Sequence, residues 1–414
     1  MKKNNMPECR FCDELLEKIF LDLGETPLAN SYLSDEEIDN NEESFPLKVL
    51  VCKKCYLVQL EEFKTPQNIF SNYAYFSSYS KSFLNHAKNY VDMMINRFQI
   101  NQNNFVVEIA SNDGYLLQYF KEKNIPLLGI EPAKNIAKNA EEKGIKTISE
   151  FFGEKFSIEL IKEYKKADLI ICNNVIAHVP KINDFVSGLK LLMSKKGILT
   201  IEFPHLMELV EHNQFDTIYH EHFSYLSFFV IKNILEKNGI KIFDVEKIHT
   251  HGGSLRVFCT HTENNDIIIK KSVDELVKSE NEKGMMEMNF YENFSTKINS
   301  TVDQFLDFCN KAKKDNKKLI GYGAPAKANT LLNYCKIKNN LIEYVTDLSP
   351  HKQGLYLPGS HLPIKSPEEI KKSKPDFVII FPWNLQDEII KQIDFIREWG
   401  GKFVIPIPNL KIIE

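Results

Sequence analysis

The sequence predicts an α/β protein in several parts, and three observations carry that reading. Two stretches, NNFVVEIASNDGYLLQYF from Asn103 and KKLIGYGAPAKANTLLNYCKI from Lys317, each run from a buried strand through a tight turn into a helix, the unit from which parallel sheets are wound. Ahead of both, four cysteines stand in two C-x-x-C pairs. At 414 residues the chain is too long for one core, and at roughly 100–200 residues per domain three parts are expected.

Bulk properties exclude several classes. With 43% hydrophobic and 26% charged residues, the chain can bury a large core and is neither disordered nor fibrous. A net charge of −4 leaves no uniformly basic surface to neutralise a phosphate backbone, so no nucleic-acid partner is expected. The opening MKKNNMPECRFC has no apolar segment behind its lysines, and no apolar run approaches bilayer length. A cytoplasmic protein without membrane attachment is expected. Nothing suggests coiled coils or repeats, and no obligate protein partner is evident.

The cysteine pairs are Cys9 with Cys12 and Cys52 with Cys55. A two-residue gap lets both thiolates of a knuckle face one tetrahedral ion, and two knuckles close a four-sulfur zinc site. The second knuckle sits in KVLVCKKCYLVQL, whose β-branched alternation reads as a hairpin limb. Redox-active pairs and chance surface cysteines are the rival readings; the first lacks a surrounding βαβ pattern. Four thiolates leave no open position for water, so the zinc is expected to be structural.

In the first α/β unit, Glu108 ends the strand and the turn carries Ala110, Ser111, Asn112, Asp113 and Gly114. Gly114 permits close backbone approach to a ligand, while Glu108 and Asp113 can fix an ammonium group. A second strand, IPLLGIEPAK, ends in Glu131 and Pro132, where an acid can accept from both hydroxyls of a ribose. The turn has a single glycine and no G-x-G-x-x-G, which disfavours a dinucleotide. Two acidic strand ends in this order resemble a class I, Rossmann-like methyltransferase domain that binds S-adenosylmethionine. A third unit from Lys165 places Asn173, Asn174 and His178 at the same edge, although a lone Asn or His there is more often structural.

Several landmarks then recur in order: both knuckles, LGETPLANSYL, SNYAYFSSYSKSF, EIASNDGYLL, IYHEHFSYLS, GGSLRVF and GYGAPAKANTLL. Together they resemble, along nearly the whole chain, the sugar C-methyltransferase family of branched deoxysugar biosynthesis, the tetronitrose and mycarose type. The resemblance implies a zinc-binding module over 1–75, an S-adenosylmethionine-dependent methyltransferase domain over 76–300 and a Rossmann-like α/β domain over 301–414. It also implies a nucleoside-diphosphate 4-keto sugar as substrate, methylated at C3 or in some relatives at C5.

Carbon methylation beside a ketone needs a base to remove the proton and a partner for the developing oxyanion. The run Tyr219-His220-Glu221-His222 offers both kinds of group. If extended, it puts His220 and His222 on one face and Tyr219 and Glu221 on the other; a turn would change this. The family resemblance makes His222 the general base, Tyr219 and Glu221 acid–base or orienting groups, and His178 a neighbour of the sugar carbonyl. Tyr73 or Tyr75 would donate to the enolate oxygen, with Tyr73 favoured. A zincin is excluded because the histidines are two apart rather than in H-E-x-x-H.

Asn264 to Lys317 reads as mostly helical and solvated. In the second α/β unit, Gly321, Gly323 and Lys327 suit an anion at a helix N-terminus, yet the glycines can equally serve packing alone. Asp347 ends a later strand. Two competing functions keep parts of this reading: an O- or N-methyltransferase with the same cofactor, and a zinc-containing scaffold with a degenerate methyltransferase fold.

Overall fold

Strands covered on both faces read as continuous apolar runs, and the segments that do so here occupy the middles of two sheets. The computed structural model describes residues 6–70 and 76–414. The chain divides into two units: Met1–Lys18, Val51–Leu206 and His222–Met288 form the first, and Ile19–Leu50, Met207–Glu221 and Asn289–Glu414 the second. Near the N-terminus, β1 (Lys18–Thr26) neighbours β2 (Phe45–Val51), and β3 (Val58–Leu60) follows the second cysteine pair.

The first unit is built on a seven-stranded sheet. Its strands are β4 (Val106–Ile109), β5 (Leu127–Ile130), β6 (Thr147–Ile148), β7 (Ala167–Asn173) and β8 (Met193–Pro204). After β9 (Ser224–Tyr225), which pairs with β3, come β10 (Ile240–Ile248) and β11 (Ser254–His261). The order is β10-β11-β8-β7-β4-β5-β6. β4 to β8 run parallel, while β11 is antiparallel to β8 and to β10. The chain winds outward from β4 through β5 to β6, then returns to the other side of β4 for β7. That reversal opens a crevice at the carboxyl ends of β4 and β7, where open α/β sheets bind ligands.

The helix Lys81–Phe98 closes one face of this sheet. Ser80 caps it by accepting from the Phe83 N–H at 3.3 Å, and Gln99 ends it in the left-handed conformation. Ala87, Tyr90, Val91 and Met94 recur at helical spacing and are buried against Val106, Leu117, Leu169 and Ile198.

The second unit repeats the theme with β12 (Leu319–Tyr322), β13 (Val345–Thr346), β14 (Ile364–Lys365), β15 (Phe377–Ile380), β16 (Lys402–Ile405) and β17 (Lys411–Ile413), ordered β14-β13-β12-β15-β16-β17. All are parallel except β17. Its winding reverses between β12 and β15. The charged stretch after Asn264 forms helices Lys271–Glu282, Met288–Glu292 and Phe294–Lys314, as its sequence suggested. Among the described residues, no helix is long and apolar enough to cross a membrane.

Candidate active site and metal centre

The four cysteines converge. Sγ of Cys9 lies 3.5 Å from that of Cys55, and Sγ of Cys12 lies 3.6 Å from that of Cys52. All four lie within 4.8 Å of one another, and no disulfide joins them. Bonds of about 2.3 Å to a central tetrahedral zinc require sulfurs roughly 3.8 Å apart, so the set fits the ion. The two knuckles have the same backbone form. Asp13 N–H donates to Cys9 O and Tyr56 N–H to Cys52 O, both at 2.9 Å, and Asp13 and Tyr56 are left-handed with φ of 62° and 61°.

Arg10, between the first two ligands, ties this centre to the methyltransferase-like sheet. It donates to Gln59 Oε1, to Leu60 O and, at 3.3 Å, to Pro180 O, and its guanidinium lies 5.5 Å from the Phe223 ring. Phe11 O accepts from Asn183 Nδ2 and Lys237 Nζ, each at 3.0 Å.

The crevice at β4 and β7 is lined by polar atoms that nothing among the described residues satisfies. Glu108 Oε2, Ser111 Oγ, Asp113 Oδ1, Asn173 Oδ1 and Asn174 Oδ1 are buried without hydrogen-bond partners. Such groups are costly unless a ligand completes them. Glu131 Oε2 accepts from Asn112 N–H and Oε1 from Ala133 N–H, both at 2.9 Å, which fixes the carboxylate and leaves a lone pair free on each oxygen. Burial, and then the charges of Glu131 and Asp113, push Glu108 well above the usual carboxylate range. Burial likewise pushes Glu131 up to about 7 against the two N–H donors. Lys143 meets Asp113 Oδ2 at 3.0 Å. A ligand that brings positive charge and polar donors, as S-adenosylmethionine does through its ammonium, sulfonium and ribose, fits this excess of buried negative charge.

The loops bear the strain expected of such a site: Ala110, Asn112 and Asn174 have φ of 54°, 50° and 54°. Gly114 closes the same turn. Its φ is +74°, and a Cβ there would lie 2.3 Å from Ile145 Cδ1, so conformation and packing require the glycine. Pro132 leads directly to Ala133, the N-cap of helix Lys134–Glu142.

His178 follows β7 on a short 3-10 turn, and its ring centroid is 4.7 Å from that of His222, which also faces Tyr225 at 6.0 Å. The extended reading of residues 219–222 is corrected: His220 and Glu221 form a turn, so alternation does not hold. His220 instead donates from Nε2 to Pro46 O (3.2 Å) and packs edge-on to Phe45, and burial lowers its pKa. Glu221, 2% exposed, meets Asn30 Nδ2 with both oxygens, at 2.7 and 2.8 Å. Tyr219 precedes the turn. Tyr73 and Tyr75 lie outside the described residues.

In the second unit, a Cβ on Gly321 would lie 2.5 Å from Phe381 Cε2, and one on Gly323 2.4 Å from Pro382 Cγ. Packing requires the first glycine, and packing together with a φ of +85° requires the second. Lys327 Nζ donates to Asn384 Oδ1 at 2.6 Å and lies 4.5 Å from the Trp383 ring centroid. Trp383 Nε1 donates to Asp216 Oδ2 at 2.7 Å, and burial pushes Asp216 up to about 6.

Sequence reasoning missed His86, Glu202 and Arg256. Glu202, in register with Asn173, accepts from Arg256 Nε at 2.6 Å and contacts His86 Nε2 at 3.0 Å. Burial alone would raise Glu202; these two partners outweigh it and hold it low. A lone acid and a lone arginine inside the apolar runs GILTIEFP and GGSLRVF were the available signal.

Comparison with known proteins yields three family matches along the chain: a zinc binding domain over residues 9–70, a methyltransferase domain over 83–245 and a C-methyltransferase C-terminal domain over 249–408. C-methyltransferase NovU from Streptomyces niveus is 34% identical over 408 residues, 98% of this chain and 96% of that protein. Among solved structures, magnesium protoporphyrin IX methyltransferase from Synechocystis PCC 6803 with bound SAM is 15% identical, covers 43% of this chain and 79% of its own, and has a TM-score of 0.33. A SAM dependent methyltransferase from Archaeoglobus fulgidus is 17% identical, with 44% and 99% coverage and a TM-score of 0.32.

Proposed function

The chain belongs to the sugar C-methyltransferase family and is an S-adenosylmethionine-dependent C-methyltransferase with a zinc-binding module, and we propose that it methylates C3, beside the ketone of a nucleoside-diphosphate 4-keto sugar, in the cytoplasm. In this reading the functional parts are 1–75, 76–300 and 301–414. The cofactor supplies an electrophilic methyl group. Glu108, Asp113, Asn173 and Asn174 take up its polar groups, together with the turn Ala110–Gly114, and Glu131 beside Pro132 accepts from its ribose. His222 removes the proton from C3, and the electron pair passes to the ketone oxygen as an enolate before forming the new carbon–carbon bond. His178 stands near that carbonyl, a tyrosine of the pair Tyr73 and Tyr75 donates to the enolate oxygen, and Tyr219 and Glu221 orient the base or relay its proton.

The observation that carries this reading is the contact between the His222 and His178 rings. His178 leaves β7 only a few residues after Asn173 and Asn174, whose carbonyl oxygens await a ligand. An imidazole with an ordinary pKa near 6.5 suits proton transfer at neutrality. The test is solvent deuterium exchange at C3 of a nucleotide-linked 4-keto sugar without cofactor. Exchange should proceed in the wild type and vanish in His222→Asn; exchange that persists in the variant, or occurs in neither, overturns the assignment.

A further inference from the structure

Two landmarks that the site above leaves unused, LGETPLANSYL and GYGAPAKANTLL, meet Glu221 inside the second unit. Asn30 donates through one amide nitrogen to both oxygens of Glu221, at 2.7 and 2.8 Å. The Tyr32 hydroxyl lies 3.1 Å from Asn30 Oδ1 and 2.6 Å from Ala324 O. Ala324 O also accepts from Lys352 Nζ at 2.9 Å, while Ala324 N–H donates to Asp347 Oδ2 at 2.7 Å. The helix Ala326–Tyr334 holds both approaches to this web: Asn329 Nδ2 donates to Ala29 O at 2.6 Å and Thr330 Oγ1 to Ile218 O at 2.8 Å.

The geometry points to Asn30 as the positioning residue for Glu221, with Tyr32 anchoring it to the GYGAPA turn. The inference rests on the reading that Glu221 works beside the base. An amide nitrogen only donates, so meeting both oxygens favours the ionised acid and fixes its plane. Asn30 is itself oriented, because its carbonyl faces the Tyr32 hydroxyl. That hydroxyl has one proton and two acceptors, and the nearer, Ala324 O, belongs to a residue fixed on its other side by Asp347. Among the described residues, the web brings together the charged groups Glu221, Lys352 and Asp347, the last two 3.9 Å apart. A buried carboxylate with no fixed orientation would be a poor partner for a base one residue away, which accounts for an Asn–Tyr pair placed so far upstream in the chain.

The experiment compares Asn30→Asp, Tyr32→Phe, Glu221→Gln and the exchanged pair Asn30→Asp with Glu221→Gln, measuring kcat and KM against pH, melting temperature and S-adenosylmethionine affinity. Asn30→Asp sets two carboxylates face to face, so kcat should fall about 100-fold at pH 8 and recover at least about tenfold by pH 6, when the pair shares one proton. Tyr32→Phe should lower kcat about threefold to tenfold with KM little changed. The exchanged pair restores a donor and an acceptor, so its melting temperature should return while kcat stays low. Cofactor affinity should not move in any of them. A loss in Asn30→Asp that is independent of pH, or an exchanged pair that regains activity with stability, overturns the inference. Full activity in Glu221→Gln instead removes the reading on which it rests.

Discussion

The two α/β sheets carry the same device at the same place, and its surroundings differ. In the first, Glu131 at the end of β5 accepts from Asn112 N–H, in the loop after β4, and from Ala133 N–H two residues on. In the second, Asp347 just past β13 accepts from Ala324 N–H, in the loop after β12, and from Ser349 N–H two residues on, at 2.7 and 2.8 Å. Both clamps hold the first loop against the second strand. Around Glu131 stand Glu108 and Asp113, with oxygens that lack partners. Around Asp347 stand Lys352 and, over the same loop, the Tyr32 hydroxyl, so charge and hydrogen bonding are already supplied by the chain. One clamp is left open for a cationic ligand; the other is closed and serves as a mount. The two copies of a shared fold therefore differ in what surrounds the clamp, with partnerless buried oxygens beside one and a cation and hydroxyl of the chain beside the other.

The contrast can be broken first at the metal. A Cys52→Ser variant should destabilise the first unit by about 3–5 kcal/mol, since structural zinc contributes folding free energy directly. Hydrogen exchange should show lost protection in β3 and β9, with β12 to β16 unchanged. Equal loss in both sheets would show that the second does not stand apart.

Acidity sharpens it further. Glu131 is raised to about 7 and Glu108 is raised as well, so the folded state keeps their protons where the unfolded state has released them. From about pH 4.5 to 7 these groups therefore reduce stability as pH rises. A bound cation offsets that loss, so the rise in melting temperature caused by S-adenosylmethionine should grow by about 4 °C between pH 5.5 and 7.5. A ligand-induced rise that shrinks over this range would contradict the charge assignment.

A smaller effect belongs to the closed clamp. Lys352→Met removes the donor to Ala324 O and the cation beside Asp347, which should cost about 1–2 kcal/mol in denaturant melts of the second unit. Cofactor affinity should stay the same; a tighter or weaker cofactor would mean that the second clamp is not independent of the first.

Much of this was legible in the chain wherever the cause was local. Two-residue gaps between cysteines, glycine-bearing turns after apolar runs, and acids at strand ends each act within a few residues. The turn at His220 and Glu221 was not legible, because Tyr-His-Glu-His has no strong turn former and its shape follows from partners at Pro46 and Asn30. Nor was the role of LGETPLANSYL, whose bonds span 191 positions from Asn30 to Glu221 and 292 from Tyr32 to Ala324. Gly114, Gly321 and Gly323 were legible as required glycines, but the atoms that exclude a Cβ were not, since they belong to Ile145, Phe381 and Pro382.

Calorimetric titration of S-adenosylmethionine into the wild type, Glu131→Ala and Asp347→Ala bears most directly on the difference between the clamps. One site per chain is expected, with Kd raised at least about 30-fold by Glu131→Ala and changed by less than about threefold by Asp347→Ala. Two sites per chain, or equal weakening by both substitutions, would contradict it.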